Sequence, residues 1–133
     1  MYPAIAIAGP TASGKSDLAL YLAERFGGEI VNYDSLQVFR YLDIGTAKPS
    51  VDDQSRVPHH LIDILDPDEA FSAGDYQERA RKVLDDIRNR NRLPILVGGT
   101  GLYLRAVMDG LFDGPQRSTY WRARMDVIAT EKS

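Results

Sequence analysis

The stretch Gly9-Pro10-Thr11-Ala12-Ser13-Gly14-Lys15-Ser16 has the pattern G-x4-G-K-[ST]. Its glycines let a backbone curl until several N–H groups point into one anion-sized hollow, and a helix starting there adds the positive end of its dipole. The lysine can then reach a distal phosphate, and the hydroxyl after it can sit on Mg²⁺. The pattern predicts a phosphate-binding loop over residues 9–16, with Mg²⁺ as cofactor and Ser16 as its candidate ligand. The plain alternative is an ordinary Gly-containing strand-to-helix turn. Lys-Ser in register between a strand and a helix favours the phosphate site.

A carboxylate is the second chemical requirement. No apolar run ends in Asp in the manner of a Walker-B strand, because Leu93–Val97 runs into Gly98-Gly99-Thr100. The only expected strand that ends in an acid is Glu29–Tyr33, followed by Asp34. In a parallel sheet the carboxyl ends of neighbouring strands share an edge, so Asp34 should face the phosphate loop. There it could hold Mg²⁺ through water or take a proton from a nucleophile. The alternative is a turn or helix-cap aspartate. Thr100 should lie at the same edge, able to bind a phosphate oxygen, to cap the next helix, or both. Gly98 and Gly99 would allow a ligand close to the backbone.

These residues need a scaffold that sets them along one edge. Ala4–Ala8 reads as a buried strand. Asp17–Phe26 reads as a helix with Leu18, Leu22 and Phe26 on its apolar face beside Ala19 and Ala23, stopped by Gly27-Gly28. Residues 35–70 are irregular, with short helix expected at Ser35–Tyr41 and Val51–Ser55. Ser72-x-x-Asp75 resembles a capping box, and Tyr76, Ala80, Val83, Leu84 and Ile87 form a helical stripe behind it, to about Asn91. Leu93–Val97 is a third strand and Thr100–Met108 a helix stopped by Gly110. Alternating strands and helices predict an α/β fold, a parallel sheet with helices on both faces.

Other candidates read as structural. Lys48 should be a solvated loop lysine. His59-His60 would point to opposite sides of an extended chain, a poor metal pair, and packing histidines are the simpler reading. Tyr120-Trp121-Arg122 could stack on a base, but an aromatic anchor on a surface helix explains it as well.

The chain has 133 residues, enough for one domain with a sizeable core. It has no cysteine, which excludes disulfides and thiolate metal sites and fits a reducing compartment. The longest apolar stretch is far too short for a membrane span, and no signal-peptide core opens the sequence. Net charge is −3, unlike a typical nucleic-acid binder. It is unevenly spread: residues 1–76 hold 5 basic and 12 acidic groups, residues 77–133 hold 11 basic and 7 acidic ones. A basic face for a polyanion is compatible with this, although on charge alone a solvated Arg-rich helix suffices.

The strings GPTASGKS (9–16), IVNYDSLQVFRYLDIGTAKP (30–49), VPHHLIDILDP (57–67), FSAGDY (71–76) and LPILVGGTGLYLRAV (93–107) together resemble the N-terminal half of the tRNA dimethylallyltransferase family, the tRNA isopentenyltransferases. The resemblance implies a P-loop NTPase-like sheet. It also implies transfer of a dimethylallyl group from dimethylallyl diphosphate to N6 of an adenosine beside the anticodon of tRNA. By that resemblance Gly9, Pro10, Thr11, Ala12, Ser13, Gly14, Lys15 and Ser16 bind the diphosphate, and Asp34 is the general base. Asp34, Ser35, Leu36 and Gln37 contact tRNA, and Thr100 serves both the reacting centre and the tRNA. Arg122 aligns with a basic tRNA contact. Residues 1–112 would be the N-terminal part of the catalytic core and 113–133 the start of a helical tRNA-binding insertion, where the chain breaks off. These residues alone are then not expected to be active. A cytoplasmic, monomeric protein with no membrane partner is expected.

Three other readings are open at this point: an ATP-dependent small-molecule kinase with Arg117–Arg124 as its lid, an adenylate isopentenyltransferase, and a phosphate-binding remnant without activity. The DIGTAKP and GGTGLY strings look more like the tRNA-modifying branch.

Overall fold

The computed structural model describes residues 4–8, 14–42, 48–110 and 125–129. They form β1 (Ala4–Ala8), α1 (Lys15–Phe26), β2 (Gly28–Asn32), α2 (Val51–Arg56), β3 (His59–His60), α3 (Ala73–Asn89), β4 (Leu93–Val97), α4 (Gly101–Gly110) and β5 (Met125–Ala129). The five strands make one sheet in the order β3-β2-β4-β1-β5, and every pairing is parallel.

Strand alternation divides the core between two faces. Ile7, Ile30 and Ile95 turn toward α1 and pack with Ala19, Leu20 and Ala23. Ala6, Val31 and Leu96 turn the other way, toward Tyr76, Ala80, Leu84 and Ile87 of α3 and Tyr103 and Val107 of α4. Helices on both faces of a parallel sheet are the predicted architecture.

The apolar face of α1 differs from the Leu18–Leu22–Phe26 expectation. Ala19, Leu20 and Ala23 are the buried residues, and Leu18 and Leu22 pack from its flanks. The two alanines let the helix sit close on the sheet. Phe26, in the last turn, is 58% exposed with the Arg25 guanidinium 5.8 Å from its ring centroid. Gly14 caps the start of α1 at φ +81, in the left-handed region where a side chain is strained, and its carbonyl accepts the Leu18 N–H at 3.1 Å.

Residues 35–41 form turns rather than the expected short helix. Their backbone groups are taken across the chain instead. Val38 O accepts from Ile64 N and Leu65 N, and Arg40 N donates to Leu65 O at 2.7 Å. The expected capping box before α3 is present: Ser72 Oγ accepts from Asp75 N and Asp75 Oδ2 accepts from Ser72 N. Residues 125–129, expected within a helical insertion, are instead an edge strand beside β1, with Ala4 opposite Met125 and Ala8 opposite Ala129. The β-branched pair Val127-Ile128 suits that state.

Candidate active site

An open cleft of about 540 Å³ lies at the carboxyl edge of the sheet. Three strand ends and the first turn of α1 build it: Lys15 and Ser16 follow β1, Asn32 ends β2 with Asp34 two residues on, and Val97 ends β4 with Gly98 next. Gln37, Asp53 and His59 add polar atoms, while Leu20, Ile30 and Ile62 supply apolar wall.

Lys15 is only 7% exposed, and its Nζ donates to the Gly98 carbonyl at 3.0 Å. Burial lowers its pKa below the usual lysine value, and the charge of Asp34 works in the opposite sense. The ammonium is thus partly dehydrated and held over the edge of β4. Gly98 has no room for a side chain: a Cβ there would lie 2.6 Å from the Tyr33 carbonyl carbon and 2.8 Å from Tyr33 Cγ. The close approach expected of this glycine is therefore to Tyr33. Tyr33 is buried, donates its phenol proton to Ile7 O at 2.7 Å, and has its pKa pushed up to about 12 by burial.

Asp34 takes the turn-capping position and also faces the cleft. Its Oδ1 accepts from Leu36 N at 2.9 Å and from Gln37 N at 3.3 Å, which is the turn-capping role. The residue also lines the cleft with Lys15 and Ser16. Its backbone is clamped by Asn32, whose Oδ1 accepts the Asp34 N–H at 2.9 Å and whose Nδ2 donates to Asp34 O at 3.1 Å. Thr100 Oγ1 accepts from Ser35 N at 2.9 Å and donates to Ser35 Oγ at 3.3 Å. It is not part of the cleft lining. Leu36 is exposed. Residues 9–13 and Arg122, and with them Tyr120 and Trp121, lie outside the described residues.

Three readings change. Lys48 is no solvated lysine; its side chain is 7% exposed, and Nζ bonds both Phe39 O and Asp63 Oδ1. His60 turns from the cleft to Glu29, whose buried carboxylate also takes Arg90 and Arg92. His59 enters the cleft, its Nδ1 is within 2.9 Å of Val57 O, and desolvation lowers its pKa. Asn32, Asp53 and His59 were not marked as functional by the sequence.

Ser16 and Asp34 place a hydroxyl and a carboxylate in one cleft, hard oxygen donors of the kind Mg²⁺ accepts beside water and phosphate oxygens. Among the described residues no three His, Cys, Asp or Glu side chains gather into a site. A cation here would therefore rely on substrate and water for its remaining ligands.

Fold and cleft together define a parallel α/β protein whose functional groups converge where the strands end. The match to known proteins is specific. Residues 37–133 fit the family model described as IPP transferase, and the chain belongs to that family. It is 60% identical over 123 residues to a tRNA dimethylallyltransferase of Solibacter usitatus, covering 92% of this chain and 40% of that protein. It is 56% identical over 128 residues to a tRNA dimethylallyltransferase 1 of Citrifermentans bemidjiense, covering 96% and 42%. The fold resembles the full-length tRNA isopentenylpyrophosphate transferase of Bacillus halodurans at a TM-score of 0.80 and 49% identity, over 86% of this chain and 38% of that one. A eukaryotic dimethylallyltransferase acting on tRNA matches at 0.77 and 35% identity, over 86% and 28%. The chain thus spans about two-fifths of the length of the curated relatives it matches.

Proposed function

We propose that this chain carries the diphosphate grip and the proton acceptor of a transferase that moves a dimethylallyl group from dimethylallyl diphosphate to N6 of an adenosine adjacent to the anticodon in tRNA. The observation behind this reading is the convergence of Lys15, Ser16 and Asp34 on one cleft. The relatives' names, tRNA dimethylallyltransferase and tRNA isopentenylpyrophosphate transferase, support tRNA and a prenyl group as the partners in this reading.

In the transfer, the allylic C1–O bond breaks as the N6–C1 bond forms, and diphosphate leaves with its electron pair. Lys15 meets the charge growing on that leaving group. Mg²⁺ held by Ser16, with Asp34 beside it, would neutralise diphosphate charge when bound. An adenine amine is a weak nucleophile because its lone pair is delocalised. Asp34 accepts the N6 proton, so no strongly acidic ammonium accumulates. Base access requires the adenosine to leave its stack, a cost that is smaller in a loop. A cytoplasmic monomer working on tRNA goes with this reading. No helix among the described residues is long and apolar enough to cross a membrane.

The test joins this chain to the remaining length of the Bacillus halodurans enzyme and supplies radiolabelled dimethylallyl diphosphate with tRNA, with free AMP, or with neither. Label in tRNA that vanishes with Asp34→Ala supports the proposal. Label in AMP but not tRNA, or ATP-dependent phosphorylation of a small metabolite in place of any prenyl transfer, overturns it.

A further inference from the structure

We infer that Asn32 is a positioning residue that sets the Asp34 carboxyl in the cleft; this rests on the reading of Asp34 as proton acceptor. Asn32 ends β2, opposite Val97 of β4, and is 2% exposed. A buried primary amide must satisfy two donors and an acceptor, and the direction of those bonds is then information about what it holds. Here Oδ1 accepts from Asp34 N at 2.9 Å, while Nδ2 donates to Asp34 O at 3.1 Å and to Leu61 O at 2.9 Å. One side chain therefore grips both backbone groups of Asp34. Its own carbonyl accepts the buried Tyr76 hydroxyl at 2.7 Å, which ties the same residue to α3.

The Leu61 contact brings a second constraint. Leu61 stands at φ +67, a conformation that costs a branched side chain energy and persists only where its surroundings hold it. The Asn32 amide fixes its carbonyl. Asn32 thus joins the end of β2, the turn that carries Asp34 and the strained segment after β3. Thr100 completes the frame one residue further on by holding Ser35. Without Asn32, the Asp34 N–H and carbonyl lose their side-chain partner, and only the Leu36 and Gln37 amides and the Thr100–Ser35 bond still hold the carboxyl's turn.

Two variants of the full chain separate positioning from folding. Asn32→Ala removes the clamp and should lower kcat by about 10–100-fold while KM for dimethylallyl diphosphate moves less than about twofold. Asn32→Asp keeps the acceptor for Asp34 N–H but turns the donor to Asp34 O and Leu61 O into a second acceptor, so it should lose turnover as Asn32→Ala does. Amide exchange reads the clamp without catalysis: Asp34 N–H should exchange slowly in wild type and at least about tenfold faster in Asn32→Ala. Unchanged exchange, or unchanged kcat in an active protein, overturns the inference. Faster exchange in Asn32→Ala together with no prenyl transfer by wild type sustains the clamp and overturns the function assigned to Asp34.

Discussion

Thr100 and Ser35 hold each other across the edge of the sheet: Thr100 Oγ1 accepts the Ser35 N–H at 2.9 Å and donates to the Ser35 hydroxyl at 3.3 Å. Thr100 follows β4 and Ser35 follows Asp34, so this pair sets the β2 turn against β4. Thr100→Val keeps the shape and loses both bonds. It is expected to lower turnover about tenfold, with Thr100→Ser restoring most of it. Steady-state kinetics on the three proteins check this; equal rates for Val and Thr would remove the hydroxyl from the assembly.

Lys15 has a different task. Its Nζ already donates to Gly98 O, and a diphosphate would recruit the same ammonium. Lys15→Met should weaken dimethylallyl diphosphate binding about 10–100-fold, or ~1.4–2.8 kcal/mol, read by calorimetric titration. Burial has lowered the pKa of this amine. Affinity in wild type should therefore fall as pH rises, at a lower pH than an ordinary lysine would allow.

Asp34→Asn separates the two uses of the aspartate. The amide oxygen can still accept from Leu36 N and Gln37 N, so the turn should survive, but no proton acceptor remains. Turnover is expected to fall by about 10²–10⁴-fold with diphosphate affinity changed little. Single-turnover rates and titration on the same protein check both halves. A matching loss in affinity would mean that Asp34 acts mainly through bound cation.

Gly98 tests the packing beneath the cleft. A methyl group there would meet Tyr33 backbone and ring atoms at 2.6–2.8 Å, and a backbone neighbour cannot swing aside. Gly98→Ala should destabilise the protein by about 3 kcal/mol or move Lys15's carbonyl partner. Urea unfolding monitored by circular dichroism gives the first quantity. A wild-type midpoint would contradict the contact.

How far these relationships could be read in the sequence depended on whether a local pattern encodes them. The strands Ala4–Ala8 and Leu93–Val97 and the Ser72–Asp75 cap announce themselves through short apolar runs bounded by Pro and Gly and through cap spacing, and all three stand where expected. Asp34 and Lys15 converge because a parallel sheet brings strand exits together. The α1 face was misjudged because a leucine spacing outweighed two alanines whose small size sets the helix close to the sheet. Asn32, Lys48 and Glu29 were illegible for another reason. Their partners Leu61, Asp63, Arg90 and Arg92 lie far along the chain, and no spacing rule links them. Turns 35–41 were expected to be helical because their backbone pairing with 63–65 is equally non-local.

Glu29 carries the last prediction. Its carboxylate is buried in β2, with His60 on one oxygen, Arg90 on both and Arg92 at 3.0 Å. Burial alone would raise its pKa, but hydrogen bonds from Arg90 and His60 hold it below the ordinary 4.5. A depressed carboxylate stabilises the fold at pH above its unfolded value, and that contribution is lost as pH falls through the folded one. Stability from this group should thus be complete above about pH 5 and decline below pH 4.5. Glu29→Gln keeps the shape while discarding the charge. It should cost about 1–3 kcal/mol at pH 7 and flatten the acid limb of the stability profile. Urea midpoints between pH 3 and pH 7 for both proteins give the comparison. Parallel profiles would show that the acid sensitivity arises from other carboxylates, and that the arginines hold Glu29 no better than water does.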